Sequence, residues 1–391
     1  MDVAQRGIIT LICSSLTGEA LTLPEGFDLE KAYAKILRHG ILAMAYDGAV
    51  NCGIDKKLPV MQKMFQGYLK CMLQSEKQLQ MVKKVCTAFD RAEVDYMLLK
   101  GCNMKDLYPK PELRQMGDAD ILIRTAQYKQ IMVILSELGF EEQRESDHEL
   151  IWTCPALFLE LHKRLIPSDN EDYCRYFGDG WQLAGSSRGS RYEMDKEDEY
   201  IYLFTHLAKH YRDGGVGCRH VADLWVFRRQ YTQVDWSYIE NELDKLHLLE
   251  FERNMIRVLS AWFEGAEVDE KTQFITETIF QSGAWGKHSD HILATTLKLS
   301  KKTKSMFSAR MKRMWNLAFI PYYQMKKKYP VLDRIPILLP VYWIVRIIDI
   351  LFLTSGKWER HSQEFLHSTD ENVKEYQRAL QYVGLDFHFK E

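Results

Sequence analysis

The segment "RQMGDADILI" (114–123) sets Asp118 and Asp120 two residues apart within an apolar run. Strand side chains alternate, so both carboxylates would share one face, with backbones roughly 6.5–7 Å apart. Two half-buried like charges raise one another's pKa and cost stability. Divalent cations remove that penalty. Paired ions about 3.5–4 Å apart clamp the attacking and leaving oxygens of a phosphoryl centre, and magnesium favours carboxylate and phosphate oxygens. Glu160, within "LFLELHKRL" (157–165), is the candidate third ligand, and Phe158 and His162 share its face. Its structural alternative is an ion pair with Lys163 or Arg164.

The turn "LLKG" (98–101) offers the complementary part. Gly101 permits close backbone approach, and the amides that follow, from Cys102 onward, can meet phosphate at a helix start. Lys100 and Arg114 are the nearby cations for phosphate, although a lysine at a turn is also simply a solvated residue. His206 and His210 lie one helical turn apart, with His220 and Asp223 on the next helical segment. These histidines could contact nucleotide or acceptor, pack between helices, or bind metal. With no H-E-x-x-H signature, the first two are favoured. Asp223, in an apolar helical pattern, is expected to pair with Arg219 or His206.

Positioning these groups requires strands joined by turns and helices. "VDYMLLKG" (94–101) reads as a strand ended by glycine, and "CNMKDLY" as one or two helical turns. Pro109 and Pro111 break the chain before the aspartate strand. "TAQYKQIMVILSELGF" has helical period, with Thr125 as N-cap and Gly139 at its close. Glu160 sits on the next strand. A polar, glycine-rich stretch over 166–193, containing "AGSSRGSR", reads as a loop. Residues 1–90 and 195–285 show helical periodicity throughout, including the long "LPVMQKMFQGYLKCMLQSEKQLQMVKKVCTAFDRA".

Together "LLKG", "YPKPELRQMGDADILI" and "LELHKRL" resemble the nucleotidyltransferase superfamily that includes DNA polymerase β. They are more closely similar to the uncharacterised nucleotidyltransferases often found in bacterial biosynthetic gene clusters. In that superfamily a glycine turn precedes an acid-x-acid pair on a strand, and a third acid follows on a later strand. The matching residues are Gly101, Asp118, Asp120 and Glu160. The resemblance runs more weakly through "HLAKHYRDGG" and "CRHVADLWVF". Lys100-Gly101-Cys102 departs from the usual glycine followed by serine or glycine, and is similar to the abortive-infection toxin-like branch.

The resemblance implies an α+β fold with a small mixed sheet. It divides the chain into an N-terminal helical region (1–90), a nucleotidyltransferase core (91–190), a helical substrate- and nucleotide-binding region (191–290) and a basic, amphipathic helical tail (291–391). It implies transfer of a nucleoside monophosphate from a nucleoside triphosphate such as ATP to an acceptor hydroxyl, with release of pyrophosphate. Asp118, Asp120 and Glu160 would hold two Mg²⁺ ions, or Mn²⁺ in their place. Lys100, Gly101, Cys102, Arg114, His206 and His210 would bind nucleotide and phosphate. The acceptor is a small molecule, a peptide or tRNA. The rival readings are an inactive nucleotide-binding regulator and a toxin-like enzyme that modifies tRNA or protein.

Composition sets the remaining bounds. The 391 residues are 46% hydrophobic and 27% charged, as in an ordinary globular protein, and a net charge of −2 excludes strong bulk attraction to nucleic acid. The eight cysteines have no C-x-x-C spacing, which excludes a zinc ribbon and predicts reduced thiols. The N-terminus lacks the basic start and long apolar stretch of a signal peptide, so a cytoplasmic location is expected. From 291 to 332 there is no acidic residue, while lysines and arginines recur among aromatics. "IPILLPVYWIVRIIDILFL" (335–353) approaches spanning length, but it carries Arg346 and Asp349. Each charge costs about 2.5–3.5 kcal/mol at mid-bilayer. No integral span is expected. The helix should be buried against the protein or lie on a membrane surface, with 298–353 as the peripheral contact.

Overall fold

The computed structural model describes residues 1–284, 286–303, 308, 312, 315, 319–348 and 369–388. The chain divides into two compact units. The larger comprises Met1–Tyr211, Gly215–Trp285 and Val383–Lys390, and the smaller Arg212–Gly214 and Gly286–Tyr382 with the terminal residue.

The larger unit opens with helices α1 (Val3–Thr17), α2 (Leu29–Arg38), α3 (Leu42–Asn51) and α4 (Pro59–Arg91). Pro59 begins α4 at a position where its missing N–H costs nothing. The strands are β1 (Tyr96–Leu99), β2 (Ala119–Ile123), β3 (Glu141–Glu145), β4 (Glu149–Thr153), β5 (Phe158–His162), β6 (Ala184–Arg188) and β7 (Arg191–Met194). They form one sheet in the order β3-β4-β5-β2-β1-β7-β6. The β2–β5 and β1–β7 pairs are parallel and the others antiparallel, so the fold is α+β with a mixed sheet.

Three expectations need correction. The segment 114–118 is not strand, because β2 begins only at Ala119. Residues 166–193 are not one loop: they form helix α7 (Glu171–Phe177) and then the β6–β7 hairpin on the sheet edge. Thr125 does not cap the following helix; it starts a short 3-10 turn before Tyr128–Glu137 (hereafter α6). The glycine turn is followed by a single helical turn, α5 (Gly101–Met104).

Strand alternation separates core from cleft. Ile121 and Ile123 of β2 and Leu159 and Leu161 of β5 join Val82, Val85 and Phe89 of α4 and Ile131 and Leu135 of α6 in the buried core. Burial of each such side chain contributes about 1.5–3 kcal/mol. The opposite face carries Asp120 and Glu160 toward helices α8 (Lys196–Arg212) and α9 (Cys218–Gln230). The Cys102 side chain is buried in the core cluster, which leaves its backbone amide as the group that could meet phosphate.

Buried polar contacts hold the segment that leads into β2. Gln78 on α4 donates to the Met116 carbonyl at 2.9 Å, and Lys105 donates to Ser75 at 2.7 Å. Arg114 makes a two-pronged ion pair with Asp223 of α9 at 2.8 and 2.9 Å, and the Tyr108 hydroxyl donates to the same carboxylate at 2.7 Å. Asp223 therefore pairs with Arg114 rather than with Arg219 or His206. Arg114 is a buried clamp between the β2 approach and α9 instead of a free phosphate contact.

The larger unit also contains α10 (Trp236–Lys245), α11 (Leu249–Phe263) and α12 (Glu270–Ser282). The smaller unit holds α13 (His288–Thr303), α14 (Tyr322–Lys328), α15 (Val331–Arg334), α16 (Leu339–Ile348) and α17 (Asp370–Tyr382). Helix α13 packs on α17 through Ile292, Leu297, Val373 and Leu380, all buried. No helix among the described residues is long and apolar enough to cross a membrane. Helix α16 has no fully buried residue; its Trp343 donates to the Ile320 carbonyl at 2.9 Å, and Tyr342 meets Tyr329, while Val341, Ile344, Val345 and Ile348 are exposed. Asp349 and the remainder of that stretch, with Lys304, Arg310 and Arg313 of the basic window, lie outside the described residues.

Removing one partner of a buried ion pair strands the other charge. Asp223→Ala should cost about 3–5 kcal/mol in urea unfolding, and joint Arg114→Met with Asp223→Leu should recover most of it. A loss below about 1 kcal/mol, typical of a surface pair, would contradict the clamp.

Candidate active site

Register places the acids. In the parallel β2–β5 pair Asp120 lies opposite Glu160, and in the antiparallel β1–β2 pair Asp120 lies opposite Leu99. The chain leaves β1 at Lys100, directly beside Asp120. Lys100 takes φ of +39°, a conformation that side chains with a Cβ avoid and that marks functional sites when it persists. Its ammonium reaches the Asp120 carboxylate at 2.9 Å. Gly101 follows because a Cβ there would come within 3.0 Å of the Arg114 guanidinium and 3.3 Å of Met116.

His162, two residues beyond Glu160 on the same face, donates from Nε2 to Asp120 at 2.8 Å and lies 3.7 Å from Glu160. Asp120, Glu160 and His162 can each present a ligand atom within 4.8 Å of the others. Asp118 completes the acidic wall just before β2. A cleft of about 430 Å³ is lined by Lys100, Gly101, Asp118, Asp120, Glu160 and His162 on the sheet side. On the helical side it is lined by His206 and His210 of α8 and Arg219 and His220 of α9. Lys163 and Arg164 do not neutralise Glu160: Lys163 binds Glu145 at 2.6 Å and Arg164 points to Cys174.

The charges are unevenly balanced. Burial alone would raise the Asp120 carboxyl, but Lys100 and His162 hold it well below the usual carboxylate range. Burial raises Asp118, and the Asp120 charge adds to it. Glu160 is pushed up to about 8 by burial and by Asp120 and Asp118. Carboxyls that resist ionisation side by side on an open cleft are a donor set whose ionised form a divalent cation would favour. His206 and His210 are held well below their ordinary value, first by burial and then by neighbouring cations, so they are neutral. Their Nε2 atoms are 3.1 Å apart and their rings meet edge to face. They are packed cleft walls, able to contact a base or acceptor.

Of the expected residues, the structure brings together Asp118, Asp120, Glu160, Lys100, Gly101, His206 and His210 on one cleft. Arg114 borders it while tied to Asp223, and Cys102 faces the core. The sequence pointed to no place in the site for His162, His148 or Glu149, and to Arg219 only as a partner for Asp223, yet all four line the cleft. His162 was readable from its alternation with Glu160. Arg219 was not, because only packing of α9 brings it there.

A family model described as uncharacterised nucleotidyltransferase matches residues 25–264. No curated protein matches the chain. Among solved structures, that of the antibiotic-resistance factor ANT(2'')-Ia is similar at 13% identity, over 48% of this chain and 97% of that one, with a TM-score of 0.31. That similarity is too slight to inform the site.

The raised Glu160 carboxyl sets a pH signature. The folded chain keeps that proton above the ordinary value of 4.5, so without metal it loses stability as pH rises from there through about 8. Cation binding needs the ionised form. If the cleft holds a divalent cation, the thermal stabilisation that cation gives should therefore grow as pH is raised through about 8, and Glu160→Gln should flatten both trends.

Proposed function

Since the chain belongs to the uncharacterised nucleotidyltransferase family and is a transferase of that kind, we propose that its cleft moves a nucleoside monophosphate from a nucleoside triphosphate to an acceptor hydroxyl. The observation that carries this reading is the pairing of Asp120 and Glu160 on adjacent parallel strands, beside Asp118, at an open cleft. Asp118, Asp120 and Glu160 would hold magnesium or manganese. When bound, these ions supply charge neutralisation at the reacting phosphate.

The chain's own groups do the rest. The acceptor oxygen forms its bond to the α-phosphorus as the bond to the bridging oxygen breaks, and pyrophosphate departs. Glu160, on the strand beside Asp120, would take the acceptor's proton once its own carboxyl is ionised. Lys100 exchanges Asp120 for a phosphate oxygen when substrate and cations arrive, and Arg219 adds positive charge on the far wall. The backbone amides from Gly101 onward, at the cleft edge beside Lys100, would meet the polyphosphate. His206 and His210 face the base or the acceptor.

A second reading, nucleotide binding without transfer, draws on the Lys100–Asp120 ion pair, which sets a fixed cation on the central carboxylate. Incubation with labelled triphosphates and cell extract separates the two. Transfer predicts pyrophosphate release and label on a small molecule, a peptide or tRNA. Asp118→Asn should lower the rate by at least about a hundredfold while the circular dichroism is kept. Tight nucleotide binding with no pyrophosphate would favour the second reading.

The smaller unit supports a surface contact of its own. Val341, Ile344, Val345 and Ile348 lie on one face of α16 and are exposed, as are Ile335 and Ile337 before it. With the lysine- and arginine-rich sequence from Lys301 onward, this composition fits an anionic lipid surface. Sedimentation with anionic vesicles should retain the protein at low salt, and Ile337→Asp with Ile344→Asp should release it. Equal retention of the variant would exclude this face.

A further inference from the structure

His162 does more than orient Asp120. The Asp120 carboxylate, ion-paired to Lys100, has only lone pairs to offer, so the hydrogen of the 2.8 Å contact sits on His162 Nε2. Nδ1 then carries a free lone pair. It is fully buried and has no hydrogen-bond partner among the described residues. A buried acceptor without a donor is costly, and carboxylate–histidine pairs of this form are the usual support for a metal-ligating ring.

The remaining donors are at hand. His148, Glu149 and His162 can each present a ligand atom within 4.8 Å of the others. His148 Nε2 lies 2.8 Å from Glu149 Oε2. The opposite nitrogen of that ring, Nδ1, faces the Ser146 hydroxyl at 3.2 Å and the Asp147 carboxylate at 3.6 Å. Ligation through Nε2 places the ring hydrogen on Nδ1, where both can accept it. The other Glu149 oxygen accepts from Arg144 at 3.2 Å, which leaves Oε2 for the site. Both imidazoles and the carboxylate thus have their non-ligating atoms held by outer partners.

We propose that His148, Glu149 and the buried Nδ1 of His162 form a second metal site, distinct from the acidic site of Asp118, Asp120 and Glu160 and shared with it only through His162. Two imidazoles and one carboxylate suit a zinc-class transition ion rather than magnesium, whose preference is for oxygen. Three protein ligands leave a fourth position for water or a substrate oxygen. The site does not depend on the transfer reaction.

The test uses the full chain, stripped of metal by a chelator and titrated calorimetrically with Zn²⁺ in excess Mg²⁺. One tight equivalent is expected, and Co²⁺ in its place should give the intense visible absorption of a tetrahedral ion. His148→Ala should weaken zinc binding by at least about a hundredfold, and Asp147→Ala by about tenfold, the cost of a lost outer partner. Asp118→Asn should leave it unchanged. Should His148→Ala misfold, Glu149→Gln carries the same expectation. Absence of a tight equivalent, its survival in the ligand variants, or its loss in Asp118→Asn overturns the proposal.

Discussion

A carboxylate in the middle of a sheet must be neutralised, and the way Asp120 is neutralised organises this protein. Its strand neighbours are Leu99 on one side and Glu160 on the other, so the groups that can reach it are fixed by register. Lys100 arrives through a strained backbone and His162 through strand alternation, and between them they satisfy one oxygen of Asp120. Asp118 and Glu160 are only partly offset, by Lys100 and, for Asp118, by Arg219, so burial and their acidic neighbours lift both. The result is a cleft in which two further carboxyls resist ionisation, an arrangement that a divalent cation would relieve.

The rest of the larger unit makes that arrangement affordable. One face of β2 and β5 is given wholly to apolar packing against α4 and α6, which anchors the strands whose other face carries charge. The approach to β2 is pinned by Gln78, Lys105 and the Arg114–Asp223 pair. Arg114 therefore bears on the site indirectly: it fixes the segment that carries Asp118 and joins it to α9, which supplies Arg219 and His220.

What sequence alone revealed follows from range. The glycine turn and the lone acid in an apolar strand are short-range patterns that survive in the fold, whereas Asp118 reaches the same cleft from just before β2 rather than by strand alternation with Asp120. Strand β3, "EEQRE", has no apolar alternation, and β6, "AGSSR", is rich in small polar residues of low strand propensity, so neither announces itself. They are strands because a neighbour pairs with them. The partners of Arg114, Lys100 and Cys102 were likewise hidden. Arg114 meets a residue 109 positions away, Lys100 turns inward through one backbone angle, and Cys102 faces the core because α5 is a single turn against the sheet.

The central claim is that three carboxylates grip cations that carry a polyphosphate. Crystals grown with Mn²⁺ and a non-hydrolysable nucleoside triphosphate, examined by anomalous scattering, test it most directly. The account requires manganese between Asp118, Asp120 and Glu160, with the Lys100 ammonium moved from Asp120 to a phosphate oxygen. Manganese and nucleotide bound elsewhere, with the Lys100–Asp120 contact intact, would contradict it.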